Sequence, residues 1–156
     1  MEIERKYLVK KVPSDLSVCK KHEISQGYLC TDPVVRIRRS GEEYYMTYKG
    51  KGLLAREEYN LPLTKEAYEH LSKKIDGILI QKTRYEIPLE NGLIAELDLF
   101  EGELFPLQYV EVEFPSFEAS RQFAPPEWFG QEVTSQPEYQ NSSLSRHGLN
   151  GLFFSN

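Results

Sequence analysis

The chain has 156 residues, enough for one domain with a substantial core and too few for two. Acids outnumber bases 24 to 19, a formal net charge of −5, so the molecule as a whole repels nucleic acid and a basic site must be local and concave. Cys19 and Cys30 form no CxxC pair, which argues against a disulfide framework or zinc site and fits reduced thiols in a cytoplasmic protein; no charged-then-apolar leader or long apolar run points to secretion or a membrane.

The chain opens on Glu2, Glu4 and Lys6 at every second position, which predicts a strand over 1–10. Successive side chains of a strand point to opposite faces, so these three share one face at a spacing of about 7 Å, and Arg5 and Tyr7 fall on the other. Strands follow at 22–31, with Gln26 and Tyr28 on one face, and at 34–40, with Arg36 and Arg38 set against Val35 and Ile37. Ser40-Gly41 turns tightly into 42–49, where Lys49 shares a face with Tyr45 and Thr47. Gly50-Lys51-Gly52 leads into 53–61, where Arg56 matches Glu58 and Asn60. Neither GxxxxGK[ST] nor GxGxxG surrounds that Gly-Lys-Gly, so it reads as a turn and not a phosphate loop.

Thr64-Lys65-Glu66 caps a helix with Tyr68, Leu71 and Ile75 on one stripe, ending at Asp76-Gly77. Strands at 78–89, carrying Lys82, Arg84 and Glu86, and at 93–100, carrying Glu96 and Asp98, are joined by Asn91-Gly92, the strongest hairpin signal. The eighth strand, 107–114, carries Glu111 and Glu113. Ser116 caps a second helix that Pro125-Pro126 stops, Trp128 and Phe129 form a core plug beside those prolines, and a third helix covers 138–146. The apolar residues of 148–156 either pack back on the body or belong to a partner contact. His22, His70 and His147 are too scattered for a metal cluster.

In strand after strand the charged residues occupy one face and the apolar residues the other. A flat sheet with its charged face in water satisfies this, and so does a closed barrel with an apolar outside and a charged inside; periodicity alone does not choose. The signs are segregated: Arg36/Arg38 and Lys82/Arg84 are basic strands, whereas Glu2/Glu4, Glu96/Asp98 and Glu111/Glu113 are acidic ones. Blocks of like charge repel unless a ligand between them neutralises both. A polyanion with divalent cations does so, because Arg and Lys hold phosphate oxygens while paired carboxylates hold hard cations.

With those residues in place the chain resembles the CYTH superfamily, the triphosphate tunnel metalloenzymes, whose signature is Glu2-x-Glu4-x-Lys6 joined by the later basic pairs and Glu111-Val112-Glu113. The likeness covers residues 1–147, leaving 148–156 as a tail. It is nearest to the short bacterial tripolyphosphatases, in Gln26-Gly27-Tyr28-Leu29 and Pro125-Pro126-Glu127-Trp128-Phe129-Gly130.

The resemblance implies a mainly β (α+β) fold: a closed eight-stranded antiparallel barrel forming a tunnel, with two or three peripheral helices. It further implies that Lys6, Arg36, Arg38, Lys49, Arg56, Lys82 and Arg84 grip phosphates, and that Glu2, Glu4, Glu111 and Glu113 hold Mg²⁺ or Mn²⁺, two ions in all. Glu96 and Asp98 are further metal candidates; Glu58 and Tyr28 join Lys6, Lys82 and Arg84 as candidates at the reaction. The expected activity is hydrolysis of inorganic tripolyphosphate, with weaker action on nucleoside triphosphates, by a monomer or homodimer. A class IV adenylyl cyclase and a non-catalytic triphosphate-binding module are the alternatives.

Overall fold

A computed structural model describes residues 1–153; the end of the tail, 154–156, lies outside the described residues. Ten strands form one antiparallel sheet: β1 (Glu2–Val9), β2 (Lys20–Thr31), β3 (Val34–Ser40), β4 (Glu43–Lys49), β5 (Ala55–Arg56), β6 (Glu58–Pro62), β7 (Asp76–Pro88), β8 (Ile94–Glu101), β9 (Gln108–Glu113) and β10 (Phe129–Glu132). The order β10-β1-β9-β8-β7-β2-β3-β4-β6 curls on itself, because β5 returns to pair with β1. Counting β5 and β6 as one kinked stave leaves nine strands in a nearly closed antiparallel barrel, the eight that the family resemblance implied plus β10, which pairs only with β1. Only two residue pairs, Glu2 with Arg56 and Ile3 with Ala55, close the seam.

The barrel is inside-out relative to an ordinary sandwich. On the outer face of β1, β8 and β9, the side chains of Ala95, Leu97, Val110 and Val112 are fully buried and join Ile3, Tyr7, Phe114 and Phe129 in one core. Helix α2 (Phe117–Gln122) packs against β1 and supplies Ala119 to that cover, with Phe123 just beyond its end. A second cluster of Tyr28, Val34, Ile80, Phe100, Leu104, Tyr109 and Leu144 gathers residues of the strands' inner faces around Leu144 of helix α3 (Asn141–His147).

The helix caps follow the sequence. The Thr64 hydroxyl accepts from the Ala67 amide at 3.0 Å at the head of α1 (Lys65–Ser72), and Ser116 accepts from Ala119 at 3.0 Å at the head of α2. Helix α1 stops at Ser72, short of the expected Asp76-Gly77, because those two residues begin β7. The third helix begins with a 3₁₀ turn, Pro137–Tyr139, before α3. Strand β10 was not expected: Phe129 does fill the core, but its backbone also pairs with Val9. In the tail a short helix, α4 (Asn150–Phe153), forms, and Leu149 and Leu152 pack back on the Leu144 cluster.

Gly77 is required where β7 passes under α3. Its φ is +73°, and a Cβ there would sit 2.1 Å from the Ser145 carbonyl oxygen. Gly77→Ala is expected to cost about 1–3 kcal/mol or more, read as a lower Tm, since both the left-handed backbone and the contact must give.

Candidate active site

Strand registers bring the predicted charges to a common lining. Going round the barrel, Glu4 lies opposite Glu113, Lys6 opposite Glu111, Glu111 opposite Glu96, and Arg84 opposite Asp98. On the far wall Arg36 pairs with Thr47, Arg38 with Tyr45 and with Gln26, and Lys49 with Glu58. Glu2, Lys6, Arg36, Arg38, Lys49, Lys82, Asp98 and Glu111 are all buried despite their charge. Glu58 and Glu96 are half-buried and Glu113 is exposed at the rim.

The cations have partners. The Lys49 ammonium donates to Glu2 at 3.0 Å, with the Arg56 guanidinium 3.7 Å from the same carboxylate. The fully buried Asp98 carboxylate accepts from Lys82 at 2.7 Å and twice from Arg84, at 2.7 and 2.9 Å. Arg84 also lies 3.5 Å from Glu96 and 3.7 Å from Glu111. Lys6 donates to the Tyr139 carbonyl at 2.9 Å, with its ammonium 4.3 Å from the centre of the Tyr109 ring. Arg36 donates to Thr47, which donates to Asn60, which donates to Glu58, at 3.1, 2.6 and 3.3 Å. The segment from Val133 to Ser142 lies along one end: Val133 N–H donates to the Lys6 carbonyl, Lys6 N–H to the Thr134 hydroxyl, and Gln136, Gln140 and Asn141 join the lining.

The carboxylates fall into two electrical groups. Burial by itself raises Glu111, yet Lys6, Arg84 and Lys82 outweigh it and hold that carboxyl far below its usual range. Asp98 is likewise lowered, its burial outweighed by Arg84 and Lys82. Glu4 goes the other way: burial, then the Glu111 and Glu2 carboxylates, lift it well above the ordinary value of 4.5. Glu113 is raised by burial and by Glu58 and Glu96, and Glu2 by burial, which Lys49 only partly offsets. Among the described residues Glu4 and Glu113 are therefore the carboxylates of this wall that no cation directly neutralises. Lys82 is lowered to about 7, chiefly by burial, with Asp98 opposing and Arg84 and Arg38 adding to the shift. Tyr28 is raised by burial against the pull of Arg36 and Arg38.

Among the described residues no three His, Cys, Asp or Glu side chains are already drawn together as a metal cage. The donors nevertheless suit a hard divalent cation, because Glu2, Glu4, Glu111 and Glu113 offer carboxylate oxygens on adjoining strands, and Glu4 and Glu113 are paired with no cation. Strand parity found every charged member of this lining. The neutral members Thr47, Asn60 and Gln26 were visible at the same parity but carried no charge signal, while Tyr109 and the Val133–Ser142 segment had no signal of their own.

Residues 1–147 match the CYTH domain, and the chain belongs to that family. It is 43% identical over 149 residues to an inorganic triphosphatase of Nitrosomonas europaea, covering 92% of this chain and 96% of that protein. It is 36% identical over 151 residues to an inorganic triphosphatase of Acetivibrio thermocellus, covering 94% of each. A crystal structure of an inorganic triphosphatase superposes with a TM-score of 0.71 at 40% identity, covering 93% of this chain and 94% of the other.

Proposed function

We propose that this protein hydrolyses inorganic tripolyphosphate to pyrophosphate and phosphate with the help of divalent cations. One observation carries the proposal: a wall of bases faces a wall of carboxylates, two of which, Glu4 and Glu113, have no cation in ion-pair contact among the described residues and are raised by burial and by neighbouring carboxylates. A linear triphosphate with its cations fits between them, anionic oxygens to the bases and cations to the acids. The two relatives bearing the name inorganic triphosphatase support the substrate.

In the proposed complex Arg36, Arg38, Lys49, Arg56, Lys6, Lys82 and Arg84 hold phosphate oxygens. Lys49 and Arg56 exchange Glu2 for phosphate as the substrate enters, which frees that carboxylate. Glu2, Glu4, Glu111 and Glu113 are the proposed ligands of Mg²⁺ or Mn²⁺, with Glu96 and Glu58 within the same lining. Asp98 acts by fixing Lys82 and Arg84 in place. Bound cations would offset phosphate charge and lower the pKa of a coordinated water. Water adds to a terminal phosphorus, the P–O–P bond to the neighbouring phosphate breaks, and pyrophosphate leaves. Lys82, raised from about 7 by the arriving polyanion, stabilises the charge that collects on the oxygens.

The CYTH domain is proposed to end at 147, with 148–156 a tail beyond it, of which Leu149 and Leu152 pack on the Leu144 cluster. No helix among the described residues is long and apolar enough to cross a membrane; cytoplasmic residence and a monomer or homodimer remain the proposed context. Incubation with ATP and Mn²⁺ should release phosphate slowly and yield no cyclic AMP. Cyclic AMP as the main product would make the protein a cyclase instead.

Cation affinity should depend on pH with a definite sign. Glu4 and Glu113 hold protons above the usual carboxylate range, and a cation must displace them. Mn²⁺ affinity should therefore rise with pH through those raised values, with protons released on binding. Calorimetric titration in buffers of different ionisation enthalpy reads the proton count; pH-independent binding without release would contradict the assignment.

A further inference from the structure

Among the described residues Gln26 is the one fully buried carboxamide in the charged lining, and half of it is unused. It stands on β2 opposite Arg38 of β3 and Ile80 of β7, with no exposed surface. Its Oε1 accepts from Arg38 Nε at 2.6 Å. Its Nε2 has no hydrogen-bond partner. Flipping the amide does not relieve this, because it would set an NH₂ against the Arg38 N–H, donor against donor. Arg38 thus fixes the orientation of Gln26. A buried donor left this way is costly unless a ligand supplies the acceptor.

The neighbouring inner-face groups do not supply it. Arg36 and Arg38 are donors, Lys82 is committed to Asp98, and the Arg36 Nε is itself without a partner. Two buried donors on adjoining strands, the Gln26 amide opposite Arg38 and the Arg36 guanidinium N–H two residues along β3, are thus both unpaired, and such donors suit an anionic oxygen. Thr47 on the inner face of β4, also neutral and fully buried, lacks this feature, since its hydroxyl accepts from Arg36 and donates to Asn60.

We propose that Gln26 is a substrate contact: its Nε2 donates to a phosphate oxygen of the bound triphosphate while its Oε1 holds the Arg38 guanidinium turned toward the same phosphate. Its neutrality matters, because the amide acts as acceptor to Arg38 and donor to phosphate at once, whereas a carboxylate does only the first. The inference rests on triphosphate being the ligand, though not on its being cleaved.

Two variants separate the roles. Gln26→Glu keeps the acceptor for Arg38, removes the donor and adds a negative charge; near-isosteric Gln26→Met removes both contacts. Each is assayed for tripolyphosphate turnover with Mg²⁺ and for the rise in Tm that inorganic tripolyphosphate causes without metal. Loss of one charge-assisted hydrogen bond should raise KM about tenfold to a hundredfold. Gln26→Glu should be the worse of the two, even though its own Tm without ligand is at or above that of Gln26→Met. The tripolyphosphate-induced Tm rise should shrink in both. A Gln26→Glu protein with wild-type KM and a wild-type Tm rise would overturn the proposal, as would equal KM in the two variants with only the ligand-free Tm lowered. A wild-type protein that binds tripolyphosphate without cleaving it would remove the triphosphatase assignment, yet the Tm rise would still decide the role of Gln26.

Discussion

Replacing Asp98 by Asn is expected to lower stability by about 3–5 kcal/mol, since it strands the buried Lys82 and takes from Arg84 its two shortest ion-pair contacts. Asp98 has no exposed surface, Lys82 has none, and the Arg84 side chain is 12% exposed. The three make a compact triad in which one carboxylate accepts three short hydrogen bonds. Asn keeps the shape and loses the charge, so the cost is electrostatic and not a cavity. For a chain of this size that corresponds to a fall in Tm of about 6–20 °C, measured on the metal-free protein by thermal unfolding. Activity should fall with it, because Lys82 and Arg84 lose their fixed positions. An unchanged Tm would mean that Asp98 does not anchor the two bases.

Glu4→Gln is expected to do the opposite to stability while also removing activity. Glu4 is lifted well above 4.5 by burial and by two neighbouring carboxylates. A group whose pKa is raised on folding stabilises the fold when protonated, and that contribution is lost as pH rises through its folded-state value. Above its raised folded-state value the charged form is therefore a burden on the metal-free protein, which an amide of the same shape relieves. Gln at this position should stabilise the metal-free protein by about 0.5–2 kcal/mol, as substitutions that relieve strained functional sites do. Turnover should drop at least about 100-fold through lost cation affinity. The Tm rise on adding Mg²⁺ should shrink as well. A variant less stable than wild type and still responsive to Mg²⁺ would show that Glu4 is a structural residue.

How much of this was legible in the sequence depended on parity and register. Parity is local: Glu2, Glu4 and Lys6 share a face in any strand, and so do Arg36 with Arg38 and Glu111 with Glu113. That sufficed to collect the lining. Register is not local. An Asn91-Gly92 two-residue turn would have set Arg84 opposite Leu99, with the charges of β7 and β8 on different faces. Instead a three-residue turn, Glu90–Gly92, closes with Leu89 N–H donating to the Leu93 carbonyl at 2.8 Å, and Asn91 and Gly92 take φ of 61° and 74°. Arg84 then meets Asp98.

The division of the acids into paired and unpaired ones was invisible for the same reason. Glu111 and Glu4 look alike in sequence, but at Glu111 the attraction of Lys6, Arg84 and Lys82 outweighs burial, whereas at Glu4 burial and the Glu111 and Glu2 carboxylates outweigh Lys49 and Lys6. Choosing barrel over flat sheet also needed more than periodicity, since the closing contact is a two-residue strand, β5, too short to register as a pattern. The Val133–Ser142 segment gave no periodic signal because it lies over the barrel end through individual hydrogen bonds and not through a repeating face.

Inorganic phosphate release from tripolyphosphate, followed with Mg²⁺ or Mn²⁺ present and again after chelation, tests the central claim most directly. Metal-dependent release of one phosphate and one pyrophosphate per tripolyphosphate, stopping on chelation, is the predicted result. Tight binding of tripolyphosphate with no phosphate released under either metal would contradict it.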